Sequence, residues 1–149
     1  MIRLSTKGRY GTRLMLNLAH NYHNGNNAVI LKSVSCDEDI SIRYLEQIII
    51  PLKINKLVKS IRGAGGGYIL ARHPSEIKVS EILNSLEGPL SLVECVEDSD
   101  YCRNTATCVT YRIWKKATDM LNDYFDNLSL QDLIDSQKKP KPKKTKNLP

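Results

Sequence analysis

The sequence predicts a mainly α-helical chain with one small β-hairpin, arranged as a winged helix-turn-helix region followed by a long C-terminal dimerisation helix. Three observations predict it. Two short helical patterns meet at a tight turn ending in Ser41; two apolar stretches flank Gly63-Ala-Gly-Gly-Gly67; and a four-spaced apolar stripe runs from Ile113 to Leu128. At 149 residues the chain suits one well-cored unit with appendages.

The first helix should begin after Ser5 or Thr6. It carries Tyr10, Leu14, Leu18 and Tyr22 on one face and stops near Gly25. Lys7, Arg9 and Arg13 lie in its early turns, where cations oppose the helix dipole, so they should meet an anion. A short helix from Leu31 to Glu38 follows, then Asp39-Ile40 as the turn and Ser41 as N-cap of a helix through Tyr44, Leu45, Ile48 and Ile49. Pro51 should kink or interrupt that helix before it resumes over Leu52 to Lys56. The stretches Leu57–Arg62 and Tyr68–Ala71 read as hairpin strands, and the glycines between them allow positive backbone dihedrals at the tip. A phosphate-binding loop would need a Lys-Ser/Thr pair opening a helix, and here a strand follows. Ser80 can cap a helix from Glu81 to Leu86 that ends at Gly88-Pro89.

Beyond that end, Cys95, Cys102 and Cys108 lie within fourteen residues, while the fourth cysteine, Cys36, is distant and reads as a buried helix residue without a role. Three close thiols on a short loop can wrap a metal or an iron–sulfur cluster, and an odd number argues against a simple disulfide framework. From Val109 the stripe through Ile113, Ala117, Met120, Leu121, Tyr124, Phe125 and Leu128 is too long for a small winged unit to cover. A second copy of the chain is the economical cover. Ser129-Leu-Gln-Asp132 looks like the start of a short terminal helix.

The formal charge of +6 hides a segregation along the chain. Residues 1–75 hold eleven Lys/Arg against four Asp/Glu, residues 76–137 hold five against twelve, and residues 138–149 hold six lysines and no acid. The basic first half is the natural face for a polyanion. No apolar run approaches membrane-spanning length, and the start lacks a signal-peptide core, so the expected setting is the cytoplasm. No Ser/His/Asp grouping, phosphate loop or paired carboxylate suggests an enzyme. The reading divides the chain into a winged helix-turn-helix region (1–75), a connecting helix and cysteine loop (76–108), a dimerisation helix with a short terminal helix (109–137) and a disordered basic tail (138–149).

Three segments carry a family resemblance: Arg3-Leu-Ser-Thr-Lys-Gly-Arg-Tyr10, Ile40-Ser-Ile-Arg-Tyr-Leu-Glu-Gln47 and Ser60-Ile-Arg-Gly-Ala-Gly-Gly-Gly-Tyr-Ile-Leu70. Together they resemble the winged-helix transcriptional regulators grouped with IscR, NsrR, RirA and CymR, most closely the IscR-like iron–sulfur branch. The resemblance covers nearly everything except the lysine tail. It implies a homodimeric, repressor-type regulator that binds double-stranded DNA, with long C-terminal helices crossing between subunits. It also implies that Cys95, Cys102 and Cys108 hold an iron–sulfur cluster, 2Fe–2S ahead of 4Fe–4S, and that the regulated genes serve cluster assembly or iron and redox stress. The stretch Leu86–Glu94 resembles the CymR-type members, which lack the thiols. They suggest the alternative of a cluster-free regulator of sulfur metabolism that acts through thiol oxidation or a partner enzyme.

The chain departs from its relatives at the fourth ligand. IscR-like members have a histidine where Tyr111 stands, and NsrR-like members an acidic residue where Arg9 stands. Asp98, Asp100 and Tyr111 are the protein candidates, and a water or small thiol the external one. For DNA, the early residues of the second helix of the motif face base edges. Gln47 can pair with adenine and Arg43 with guanine, Ser41 and Tyr44 can grip phosphate, and Glu46 can accept from cytosine or repel a wrong site. Arg62, beside Gly63 at the wing tip, is placed for a narrow minor groove, and Lys7 for the phosphate backbone.

Overall fold

In the computed structural model, which describes residues 3–25 and 27–138, the first helix starts where Ser5 stops the preceding coil. The Ser5 hydroxyl accepts the Gly8 amide at 3.2 Å, and α1 (Thr6–His23) then buries Leu14, Met15, Leu18 and Ala19 along one face. α2 (Leu31–Glu38) ends at Asp39, whose φ of 53° turns the chain in the left-handed region. Aspartate tolerates that conformation better than most side chains. Ser41 then caps α3 (Ile42–Ile54) by accepting the Tyr44 amide at 3.2 Å.

Leu45, Ile48, Ile49 and Leu52 form the buried face of α3 and pack with α1 and α2 into the core. Pro51 does not interrupt this helix, against expectation. Proline removes one intrahelical hydrogen bond, and burial of Ile48, Ile49 and Leu52 around it offsets that loss. The helix closes with Lys56 in the left-handed region at φ 59°. The Leu57 amide reaches back to the Leu52 carbonyl at 3.0 Å and the Lys56 amide to Lys53 at 3.0 Å, a Schellman pairing.

The hairpin pairs β1 (Val58–Ile61) antiparallel with β2 (Gly67–Leu70), in the register Val58 to Leu70 and Ile61 to Gly67. Val29 adds a third rung, with its amide 2.9 Å from the Tyr68 carbonyl and its carbonyl 2.8 Å from the Tyr68 amide. A short 3₁₀ turn, Pro74–Glu76, leads to α4 (Val79–Glu87). Ser80 does not cap α4; it is buried inside the first turn. The helix starts earlier because Glu81 accepts the Lys78 amide at 3.0 Å while the Val79 amide finds the Leu128 carbonyl at 2.8 Å.

A loop holding the one-turn α5 (Glu94–Glu97) joins α4 to α6 (Val109–Asp126), and α7 (Leu130–Lys138) ends the described chain. α7 folds back to the core, where Leu130 is fully buried and Ile134 is 2% exposed. Its N-terminus is fixed by Asp132, which accepts the Ser129 hydroxyl at 2.6 Å and the Ser129 amide at 2.8 Å. Lys138, expected in the basic tail, is helical; the remainder of that tail, 139–149, lies outside the described residues.

α6 behaves otherwise. Among its described residues only Thr118 is buried, while Val109, Ile113, Trp114, Met120, Leu121 and Tyr124 are exposed. Of the stripe predicted to need cover, Ala117, Phe125 and Leu128 are half-buried, while Ile113, Met120, Leu121 and Tyr124 remain exposed. Among the described residues, no helix is long and apolar enough to cross a membrane.

Candidate nucleic-acid interface and thiol loop

The helical period of α3 separates its two faces cleanly. Leu45, Ile48, Ile49 and Leu52 turn inward, whereas Arg43, Glu46 and Gln47 are exposed on the far side. The Ser41 hydroxyl is used as the cap acceptor and retains its proton for donation. Tyr44 is half-buried, with its ring edge-on to Tyr10 at 5.8 Å between centroids.

Tyr10 also carries the Arg13 guanidinium over its face at 5.6 Å. Arg13 in turn donates from Nε to the Glu38 carboxylate at 3.0 Å and from Nη2 to the Glu38 carbonyl. The anion that Arg13 meets is therefore within the protein, at the C-terminal end of α2, where a cation is favoured. This clamp holds α1, the turn and α3 in one arrangement. Sequence reasoning did not pair Arg13 with Glu38, because 25 residues separate them and the pattern gives no signal.

Lys7 stands half-buried in the first turn of α1. The carboxylate at that helix end is Glu87, the last residue of α4, which accepts the Ser5 amide at 3.0 Å and the Ser5 hydroxyl at 2.7 Å. Gly8 permits this approach, since a Cβ there would lie 2.1 Å from Glu87 Oε1.

At the wing, Arg62 and Gly63 are exposed at the hairpin tip. Gly63 and Gly65 have φ of 92° and 72°, which side chains resist, and the Gly66 amide closes the turn on the Gly63 carbonyl at 3.0 Å. Gly67 combines φ 151° with contact, because a Cβ would sit 2.5 Å from the Val29 carbonyl oxygen.

The three clustered thiols are all half-buried and free of disulfides. Cys95 lies in α5, Cys102 in the following loop, and Cys108 is the N-cap of α6. Cys108 Sγ accepts the Tyr111 amide at 3.4 Å and lies 3.2 Å from Thr110 Oγ1. The Thr110 hydroxyl first, then the Tyr111 amide, hold its thiol below the ordinary cysteine range. Tyr111 thus meets Cys108 through its backbone. The Asp98 carboxylate accepts the Asp100 amide at 2.9 Å. In kind, the donors suit an iron–sulfur centre. In placement they do not close on one, for among the described residues no three His, Cys, Asp or Glu side chains gather to hold a metal ion. Cys36, expected to be buried, is exposed on α2, because the short helix turns only Leu31 and Val34 into the core.

Residues 4–136 match the family model Rrf2, described as an iron-dependent transcriptional regulator. The chain belongs to the Rrf2 family. It is 39% identical to the regulator CymR of Bacillus subtilis over 132 residues, covering 89% of each chain. It is 35% identical to IscR of Escherichia coli O1:K1 over 136 residues, covering 91% of this chain and 82% of that one. The solved structure of B. subtilis CymR, described as a global cysteine regulator, superposes with a TM-score of 0.77 over 91% of this chain and 98% of the other. T. potens IscR gives 0.74 at 36% identity, covering 95% and 94%. This Rrf2 chain is accordingly a winged-helix, DNA-binding transcriptional regulator and not an enzyme. The hairpin is its wing.

Proposed function

We propose that the protein is a homodimeric, repressor-type regulator in the cytoplasm whose operator binding is modulated by an iron–sulfur cluster held by Cys95, Cys102 and Cys108. The observation that carries this reading is three free, half-buried thiols on one loop between α4 and α6, one of them capping α6 beside two hydrogen-bonding groups. A bound cluster would supply redox and iron responsiveness. The regulated genes would serve cluster assembly or iron and redox stress. The dimer would form through the exposed face of α6, whose Ile113, Met120 and Tyr124 have no cover within the chain. DNA would be read by Arg43, Glu46 and Gln47 on α3, with Ser41, Tyr44 and Lys7 at the backbone and Arg62 with Gly63 at the wing.

The loop has a physical route to that reading surface. It leaves α4 at Gly88, next to Glu87, and Glu87 holds Ser5 at the start of α1. α1 then meets α3 through the Tyr10–Tyr44 ring edge. A ligand that rearranges the loop would pull on this seam.

The second reading, a cluster-free regulator of sulfur metabolism acting through thiol oxidation or a partner enzyme, is favoured by the 39% identity to CymR and by the ungathered thiols. Anaerobic purification separates the two. The cluster reading expects visible absorbance, iron and sulfide in the wild type, their loss in Cys95→Ala, Cys102→Ala and Cys108→Ala, and an unchanged spectrum in Cys36→Ala. A colourless wild type without iron, or loaded and apo proteins that bind DNA alike, would remove it. Light scattering should give twice the chain mass.

A further inference from the structure

Ile50 is 57% exposed on α3, a helix whose opposite face is fully packed. On a helix turning about 100° per residue, Arg43, Gln47, Ile50 and Ile54 fall within about 60° of arc, directly opposite Leu52. Ile50 therefore stands at the centre of the outward face, between Glu46 and Gln47, and about 4.5 Å beyond Gln47 along the axis. Nothing in the core explains an isoleucine there. Ile54, next on the same line, is 73% exposed, so the aliphatic surface continues the polar reading surface without a break.

A side chain with no donor or acceptor can read only one feature in the major groove. Guanine, adenine and cytosine present polar groups to an approaching side chain, whereas thymine adds the C5 methyl, the apolar contact of that groove. We propose that Ile50 packs on the C5 methyl of a thymine in each half-site, so that the protein selects T one or two base steps beyond the position read by Gln47. The inference rests on α3 being the helix that enters the major groove. Double-stranded DNA is the occupant because the aliphatic stripe is continuous with Arg43 and Gln47 and belongs to the half of the chain with eleven Lys/Arg against four Asp/Glu. Opposite cytosine or a phosphate, Ile50 would strip water from a polar group and return nothing.

The test uses the full chain and a duplex selected by it from a random pool. Each thymine in the selected duplex is replaced singly by deoxyuridine, which deletes the methyl and leaves the hydrogen-bonding edge intact. Affinity is read by competition anisotropy. One thymine per half-site should lose about fourfold on replacement, the worth of burying a single methyl. Ile50→Ala should bind thymine and deoxyuridine duplexes alike, and Ile50→Val should keep most of the discrimination. The proposal is overturned if no thymine is sensitive in the wild type, or if the sensitivity survives unchanged in Ile50→Ala. Gln47→Ala serves as the separate control: if it too binds the selected duplex as tightly as the wild type, the assignment of α3 as reading helix fails, and the proposal with it.

Discussion

Replacing Gly67 by alanine should cost far more than the same change four residues earlier. At Gly67 the new Cβ would lie 2.5 Å from the Val29 carbonyl oxygen and 2.6 Å from its carbon, with φ at 151°. The obstacle is backbone, and that backbone is fixed by two hydrogen bonds between Val29 and Tyr68 at 2.9 and 2.8 Å. A residue forced into a glycine-only region costs about 1–3 kcal/mol. Losing the two ladder bonds adds about 1 kcal/mol each, and the reduced freedom of the unfolded chain returns less than about 1 kcal/mol. The net expectation for Gly67→Ala is a loss of about 2–4 kcal/mol. Gly63 has φ 92° but nothing within 4 Å of its would-be Cβ, so Gly63→Ala should cost about 1–2 kcal/mol of dihedral strain alone. Equilibrium urea unfolding followed by circular dichroism measures both. Equal midpoints for the two variants would refute the claim that close approach to Val29, rather than turn geometry, requires glycine at position 67.

The same structure sets four further expectations. Lys56→Gly should stabilise by about 0.5–1 kcal/mol in urea unfolding, because a left-handed residue in a Schellman closure is relieved of its Cβ. Asp132 is held below its ordinary value by the Ser129 hydroxyl and then the Ser129 amide. In acid the unfolded state therefore binds more protons, so this carboxylate stabilises above its unfolded value of about 3.9, and the contribution fades as pH falls through the lower folded value. Asp132→Ala should flatten stability against pH in that acid window, and an unaltered profile would show that the Ser129 contacts carry no linkage. On DNA, Gln47→Ala and Arg62→Ala should each weaken specific binding by about 1–3 kcal/mol. Lys7→Ala should weaken all sequences alike and lower the salt slope by about one; a sequence-selective loss at Lys7 would reverse its assignment.

What the sequence made legible is what neighbours decide. α2 runs from Leu31 to Glu38 and Ser41 caps α3 as read, since a left-handed Asp39 and a serine ahead of an apolar period are local instructions. The hairpin follows for the same reason. The misreadings concern what packing and distant partners decide. Ser80 looked like a cap because the amide that needs satisfying at that helix start is taken by Leu128, invisible from residues 78–81. Pro51 looked like a break because burial of Ile48, Ile49 and Leu52 is not part of a proline rule. Cys36 read as buried because cysteine usually is, yet a helix of eight residues has room for only one narrow inward face. The site was legible in its residue types and not in its assembly: the spacing of Cys95, Cys102 and Cys108 announces a shared loop, but how that loop folds depends on α6.

The treatment of the two last helices bears on how this regulator is built. α7 is short and returns to the core through Leu130 and Ile134, while the longer α6 leaves Ile113, Met120, Leu121 and Tyr124 of its apolar stripe exposed. If α6 were merely a poor core helix, its burial would be sacrificed and the chain beyond it would have no reason to return. Instead α6 is capped at its start, where the Cys108 sulfur takes the Tyr111 amide, and tied just beyond its end, where the Leu128 carbonyl takes the Val79 amide at 2.8 Å. Between them, Thr118 receives the Leu92 amide at 3.3 Å and Asn122 donates to the Leu90 carbonyl at 3.1 Å, binding the segment ahead of α5 to the helix. α6 is thus held in place with Ile113, Met120, Leu121 and Tyr124 outward. The segment that leads into the thiol loop is bonded to that same helix at Leu90 and Leu92, and it begins beside Glu87, which holds the start of α1. The cysteines lie between that segment and α6, with Cys108 capping the helix itself.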